Sequence, residues 1–160
     1  MTSIGGVTLI RILVVDDFEP WRRILCSRIG KQAGLHVIAE ASDGIEGVQK
    51  AQQLKPDVIL LDVSLPRLNG IAAARQIRSL VPQSKILFLS QESSSDVVQE
   101  ALSIGSGYIY KIRATEDLLP AMESVICGNE FLSSSLRSCS RIRCSNSGSV
   151  PLAGPAVLSG

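Results

Sequence analysis

Between residues 9 and 127, short runs of aliphatic and β-branched residues alternate with longer segments whose apolar residues recur at helical spacing. Few folds accommodate that alternation: it predicts an α/β fold, a parallel sheet with helices packed on its faces. Five strands are expected, LIRILVV (9–15), HVIAEA (36–41), DVILL (57–61), KILFL (85–89) and GYIY (107–110), the most apolar of them suited to burial on both sides. Between them, Trp21, Ile24, Leu25 and Ile29 recur at helical spacing, as do Val97, Ala101 and Leu102, and then Leu118, Met122, Val125 and Ile126; five helices fit. Asp43 with Glu46 three residues on gives a capping-box-like start to the second helix, Thr115 is expected to cap the fifth, and Gly105 and Gly128 stand where helices should stop.

A chain of 160 residues is long enough to bury a core as one domain without disulfide or metal staples. Its 45% hydrophobic and 19% charged content argues for a folded protein, and no apolar run approaches the roughly 20 residues of a membrane-spanning helix. The N-terminal MTSIGGVTLIRILVV has no basic stretch before its apolar residues and runs into Asp16 and Asp17. It does not resemble a secretory signal, so a cytoplasmic location is expected. Cysteines at 26, 127, 139 and 144 have unrelated spacings and suit buried thiols better than a disulfide framework. Net charge is +1, but Arg137, Arg141 and Arg143 follow the last acid, leaving a mildly acidic body without the basic face that direct nucleic-acid binding requires. Residues 133–160 hold nine serines, three glycines and two prolines, a composition poor in burial. The expected division is a folded domain over 9–130 and a flexible Ser-rich tail over 131–160.

Three acids lie at carboxyl ends of strands: Asp16 and Asp17 after the first, Asp62 after the third. In a doubly wound sheet of order 2-1-3-4-5 those strands are neighbours where the winding reverses, and ligands bind in the crevice there. Carboxylates held within a few ångström repel by roughly several kcal/mol per pair at an effective dielectric near 20 unless a proton or cation relieves them. Oxygen-only ligands and an incomplete protein shell suit Mg²⁺ better than zinc or calcium. Ser90 after the fourth strand and Lys111 after the fifth complete a set that converges on a phosphate, with Asp62 as nucleophile and the ammonium and hydroxyl as donors to its oxygens. Singly, Asp17 or Ser90 reads as a helix N-cap and Lys111 as a solvated lysine. Their joint occurrence, in order, favours the phosphoryl-transfer reading.

The motifs VVDDF (14–18), LLDVSLPRLNG (60–70), FLS (88–90) and GYIYK (107–111) together resemble the response-regulator receiver family of two-component signalling, over residues 9–130. That resemblance implies a flavodoxin-like, CheY-like (βα)5 three-layer sandwich. It implies Asp62 as phosphoacceptor, and Mg²⁺ held by Asp16, Asp17 (one of them through water), Asp62 and the main-chain carbonyl of Ser64. It further implies Ser90 and Tyr108 as switch residues, the hydroxyl moving to the phosphate and the ring rotating inward to repack the face of the fourth helix, fifth strand and fifth helix. The implied partners are a histidine kinase or histidine phosphotransfer protein, with homodimerisation possible through that face. The stretch from Ala101 to Ser133 is similar to receivers that precede a LuxR-like helix-turn-helix, yet no such output is expected in the residues that remain, and DNA binding is not carried over.

Gln91 stands where the family usually has a small residue, and Ile112 where many receivers carry proline; Gln91 could partly cover the pocket. Ser64 and Glu92 are the flanking side chains expected to tune acyl-phosphate lifetime. Trp21 reads either as a partner-docking residue or as a ring packed at the pocket rim, and His36 receives no role. Two rival readings remain at this level. One is a degenerate receiver that acts as a phosphorylation-independent interaction module. The other is a haloacid-dehalogenase-like phosphatase, disfavoured because Ser64 stands where that chemistry needs an acid. The expected activity is therefore self-catalysed phosphoryl transfer to Asp62, not enzymatic turnover.

Overall fold

The computed structural model describes residues 2–4 and 7–137. Its elements in chain order are β1 (Thr2–Ile4), β2 (Val7–Val15), α1 (Glu19–Gly30), β3 (Leu35–Ala41), α2 (Gly44–Leu54), β4 (Val58–Leu61), α3 (Gly70–Leu80), β5 (Lys85–Ser90), α4 (Ser95–Ile104), β6 (Gly107–Tyr110), a 3₁₀ turn (Lys111–Arg113), α5 (Ala114–Ile126), β7 (Phe131–Leu132) and α6 (Ser134–Arg137). Six strands run parallel in the order β3-β2-β4-β5-β6-β7, and β1 pairs antiparallel with the start of β2. The five expected strands occupy the 2-1-3-4-5 order, making this a CheY-like receiver fold. The two additional strands, β1 and β7, extend it.

Alternation along the strands divides the core into two layers. Leu13, Val15, Ile59, Leu61, Ile86, Phe88 and Tyr108 face α2, α3 and α4. Ile12, Val14, Val58, Leu60, Leu87, Leu89 and Ile109 face α1 and α5. All four residues of β4 are buried, as the unbroken apolar run of a central parallel strand demands. The parallel register aligns the strand ends, with Val15 opposite Leu61 and Ser90 opposite Tyr110, so the residues that follow emerge along one edge.

Asp43 caps α2 by accepting from Glu46 N at 2.8 Å, while the Glu46 carboxylate reaches back to Ser42 N at 2.8 Å. The capping box therefore closes one residue earlier than the usual reciprocal pair. Thr115 does not cap α5. The 3₁₀ turn at Lys111–Arg113 feeds straight into Ala114, making Arg113 the cap residue. Gly105 does end α4, but its backbone is extended, and an added Cβ would lie 2.7 Å from the Phe88 ring and 2.9 Å from the Ile86 carbonyl; close approach requires the glycine. Gly128 has φ +88, a left-handed conformation that glycine adopts without strain.

The boundary expected at residue 130 is too early. Phe131–Leu132 pairs with Gly107–Tyr108, and Ser133, Leu132 and Leu136 are all buried. The fold therefore includes residues 131–137, and the remainder of the expected tail lies outside the described residues. Cys127 is exposed, contrary to the buried-thiol reading, because it follows the last turn of α5. Cys26 is half-buried, its thiol pushed up to about 11 by burial and by Glu40; Cys139 and Cys144 lie outside the described residues. No helix among the described residues is long and apolar enough to cross a membrane.

Candidate functional site

The carboxyl ends of β2, β4 and β6 bring Asp16, Asp17, Asp62 and Lys111 together, while Ser90 ends β5 with Glu92 and Tyr108 as its partners. Asp16 leaves β2 with its N–H donating to the Ala41 carbonyl, and Asp62 leaves β4 with its N–H donating to the Val15 carbonyl, both at 3.0 Å. Ladder bonds thus continue one residue past each strand and fix where both acids stand. Asp16, Asp17 and Asp62 each offer a carboxylate oxygen, and these atoms lie within 4.8 Å of one another. Asp16 and Asp62 are buried and Asp17 is exposed. Neither Asp17 nor Ser90 caps a helix: Phe18 occupies the cap position of α1 and Ser94 that of α4.

Lys111 binds this cluster directly, its Nζ lying 2.7 Å from Asp16 Oδ2 and 3.2 Å from Asp62 Oδ2. Burial pushes the Asp62 carboxyl above its ordinary value and Asp16 adds to that; the Lys111 ammonium pulls it back. For Lys111, burial is the largest influence and opposes the charged form, but its bonds to Asp16 and to Asp62 outweigh it and raise the ammonium's pKa. Three carboxylates against one ammonium leave two negative charges in a half-enclosed, oxygen-lined space. The donor set fits a hard divalent cation with part of its shell left to water. Asp16, Asp17 and Asp62 are the side chains that could hold it. Ser64 belongs to the same loop, its N–H donating to Asp62 Oδ1 at 3.2 Å.

The space beside the acids is an open cleft of about 750 Å³ lined by Asp17, Phe18, Trp21, Asp62, Ser64, Gln91, Tyr110, Lys111 and Ile112. Gln91 is therefore at the rim, as expected. Phe18 and Ile112 are 61% and 72% exposed, an apolar pair at the mouth that composition alone did not suggest. The Trp21 ring packs against the α1/α5 core layer and also holds Lys111 Nζ 5.8 Å from its centroid, within cation–π range. His36 is exposed, opposite Arg11 in the strand register and away from the acids.

Ser90 is buried, and its Oγ accepts from Glu92 N at 3.1 Å. Tyr108 is fully buried; its hydroxyl donates to the Glu92 carbonyl at 2.6 Å and is hydrogen-bonded by Ser90. Burial pushes the phenol up to about 12, so it remains a neutral donor. The ring thus lies inward, next to the Ser90 hydroxyl.

One contributor escaped the sequence reading, and one residue of a quoted motif gains its physical reason. Arg22, one turn into α1, donates from Nη1 to the Asp16 carbonyl at 2.6 Å and from Nε to Glu40 at 3.0 Å, bracing the backbone of the acidic pair. Its position seven residues after the first strand was the available signal. Gly70 opens α3 directly against the end of β4: a Cβ there would lie 1.9 Å from the Asp62 carbonyl oxygen. The glycine of the LLDVSLPRLNG motif is required by that approach.

Comparison with known proteins agrees with this geometry. Residues 12–123 match the model of the response regulator receiver domain. The transcriptional regulatory protein LnrK of Bacillus subtilis (strain 168) is 34% identical over 125 residues, covering 78% of this chain and 57% of that protein; the chain thus spans little more than half of this relative. A LuxR-family two-component response regulator from Aurantimonas sp. SI85-9A1 superposes with a TM-score of 0.78 at 29% identity, covering 82% of this chain and 94% of that one. The response regulator domain of Thermotoga maritima CheB gives a TM-score of 0.67 at 33% identity, covering 75% and 95%. With the fold, the acidic edge and these matches in agreement, the chain belongs to the receiver domains of two-component response regulators.

Proposed function

We propose that this receiver accepts a phosphoryl group on Asp62 and uses Ser90 and Tyr108 to pass its phosphorylation state to a partner-binding face. The observation that carries the reading is Lys111 Nζ bridging Asp16 and Asp62 at 2.7 and 3.2 Å within the acidic trio. Asp16, Asp17, Asp62 and the Ser64 carbonyl would hold Mg²⁺, which when bound would neutralise charge on the phosphoryl oxygens. An Asp62 carboxylate oxygen attacks phosphorus. The new O–P bond forms as the P–N bond of a donor phosphohistidine breaks, and the electron pair leaves with the imidazole. Lys111 then exchanges a carboxylate contact for a phosphoryl oxygen, so its charge is held where negative charge arrives.

Ser90 Oγ accepts from Glu92 N and gives its own proton to the Tyr108 oxygen, a bond it would exchange for one to a phosphoryl oxygen. Drawing Ser90 toward the phosphate alters its bond with Tyr108 and thereby the packing between α4 and β6. Such an element has two arrangements, and the new charge biases one of them. Asp62 is consumed in the reaction, so the domain signals and does not turn over a substrate. Phe18, Trp21 and Ile112 form an apolar rim fitted to the histidine-bearing helix of a kinase or phosphotransfer protein. A homodimer through the α4–β6–α5 face has to include β7 and α6, which lie along that edge.

The test is reductive trapping. After incubation with phosphoramidate and Mg²⁺, borohydride converts an aspartyl phosphate to homoserine, and peptide mass spectrometry locates it. Conversion at residue 62 is expected; conversion at another acid, or at none, contradicts the assignment.

A further inference from the structure

One buried charged group takes no part in the phosphorylation chemistry. Asp117 on α5 is 8% exposed and Ser133, between β7 and α6, is fully buried. Ser133 Oγ donates to Asp117 Oδ2 at 2.6 Å and accepts from Tyr110 N at 2.9 Å. Ser133 N donates to the Tyr108 carbonyl at 3.1 Å, and Phe131 N to the Ser106 carbonyl at 3.2 Å. A buried carboxylate is costly unless its bonds are made, so this seat specifies one position for the segment. Arg137 closes it: Nε donates to the Leu132 carbonyl at 2.7 Å, and the guanidinium lies 5.8 Å from the Phe131 ring centroid.

The seat is placed on the strand that carries the switch. Tyr110 is bonded through its N–H to Ser133, is paired on its other side with Ser90, and immediately precedes Lys111. Tyr108 shares one core layer with Leu132 and Leu136. Leu132 stands opposite Tyr108 in the β6–β7 register, and Tyr108 is fully buried with both leucines seated.

Building on Asp62 as phosphoacceptor, we infer that Ser133 and Asp117 are positioning residues for phosphorylation: they clasp Phe131–Arg137 onto β6 and so favour the inward Tyr108 and the Ser90 and Lys111 placement that receives the phosphoryl group. Coupling of this kind is reciprocal. A clasp that favours the phosphorylated arrangement must itself be tightened by phosphorylation, which delivers the state of the pocket to residues beyond 137.

The experiment uses the full chain, with Mg²⁺ and beryllofluoride as the phosphoryl mimic. Peptides spanning 131–137 are expected to exchange amide hydrogen more slowly when the mimic is bound, by about fivefold, the low end of allosteric coupling. Ser133→Ala should weaken beryllofluoride half-saturation by a similar, roughly fivefold factor, with Mg²⁺ affinity unchanged because the acidic trio is intact. Asp117→Asn, which keeps an oxygen to accept from Ser133, should lie close to wild type. Unchanged or faster exchange on mimic binding overturns the inference. So does a Ser133→Ala protein that melts lower yet binds beryllofluoride like wild type, since that describes a purely structural seat. Failure of the wild type to bind the mimic at all overturns the phosphoacceptor reading and this inference with it.

Discussion

At Asp62, burial and the neighbouring Asp16 disfavour the ionised carboxyl while Lys111 favours it, and the net result is a raised pKa. A carboxyl whose folded-state pKa lies above its unfolded value adds stability below the unfolded pKa, near 3.8, and that contribution is lost as pH rises through the folded value. Asp62→Asn removes the cost of ionisation. Without Mg²⁺ at neutral pH it should melt about 2–4 °C above wild type, with the gap closing as the pH is lowered toward 4 in a thermal-denaturation series. Lys111→Met has the opposite sign, because it leaves Asp16 and Asp62 facing each other without the ammonium. Breaking a buried pair costs about 3 kcal/mol or more, and millimolar Mg²⁺ should recover part of the lost melting temperature by replacing the missing charge. Asp16, Asp17, Asp62 and Lys111 were legible in the sequence because their convergence depends only on strand order and on standing within two residues past the carboxyl end of a strand. Arg22, Phe18 and Ser133 were not, since their roles depend on which distant backbone or surface each reaches.

Among the elements, α3 starts in close contact with the Asp62 backbone, through Gly70 against the Asp62 carbonyl. Gly70→Ala forces α3 or the β4 end to move, at a cost of about 1–3 kcal/mol for overpacking. It should therefore lower both denaturant stability and the rate of phosphoryl uptake, whereas a variant with wild-type uptake would show that the close approach is not needed. Strands β2 to β6 were readable because their alternation matches a two-sided core. Strand β7 and helix α6 were missed for a physical reason: the pairing segment is two residues long, and its serines suggest solvent. Ser133 is buried by having its hydrogen bonds satisfied by Asp117 and Tyr110, which composition does not register. The misplaced α5 cap has a similar origin, because the 3₁₀ turn after β6 uses the residues between Lys111 and Ala114 and leaves Thr115 inside the helix.

For the whole molecule, a carboxylate cluster able to hold a divalent cation lies at one edge of the sheet. A cation that binds only the folded state stabilises it by mass action, by about 2.7 kcal/mol at a hundredfold excess over its dissociation constant. Wild type should therefore melt higher in Mg²⁺, and Asp17→Asn, which removes an exposed ligand and little packing, should lose most of that increment while matching wild type without metal. Intact-mass measurement decides whether Asp62 takes a phosphoryl group with the help of this cluster. Wild type and Asp62→Asn are incubated with acetyl phosphate, with and without Mg²⁺. A gain of one phosphoryl group that requires Mg²⁺ is expected in wild type and none in Asp62→Asn. A folded, metal-binding wild type that gains nothing, or a gain that survives in Asp62→Asn, would contradict it.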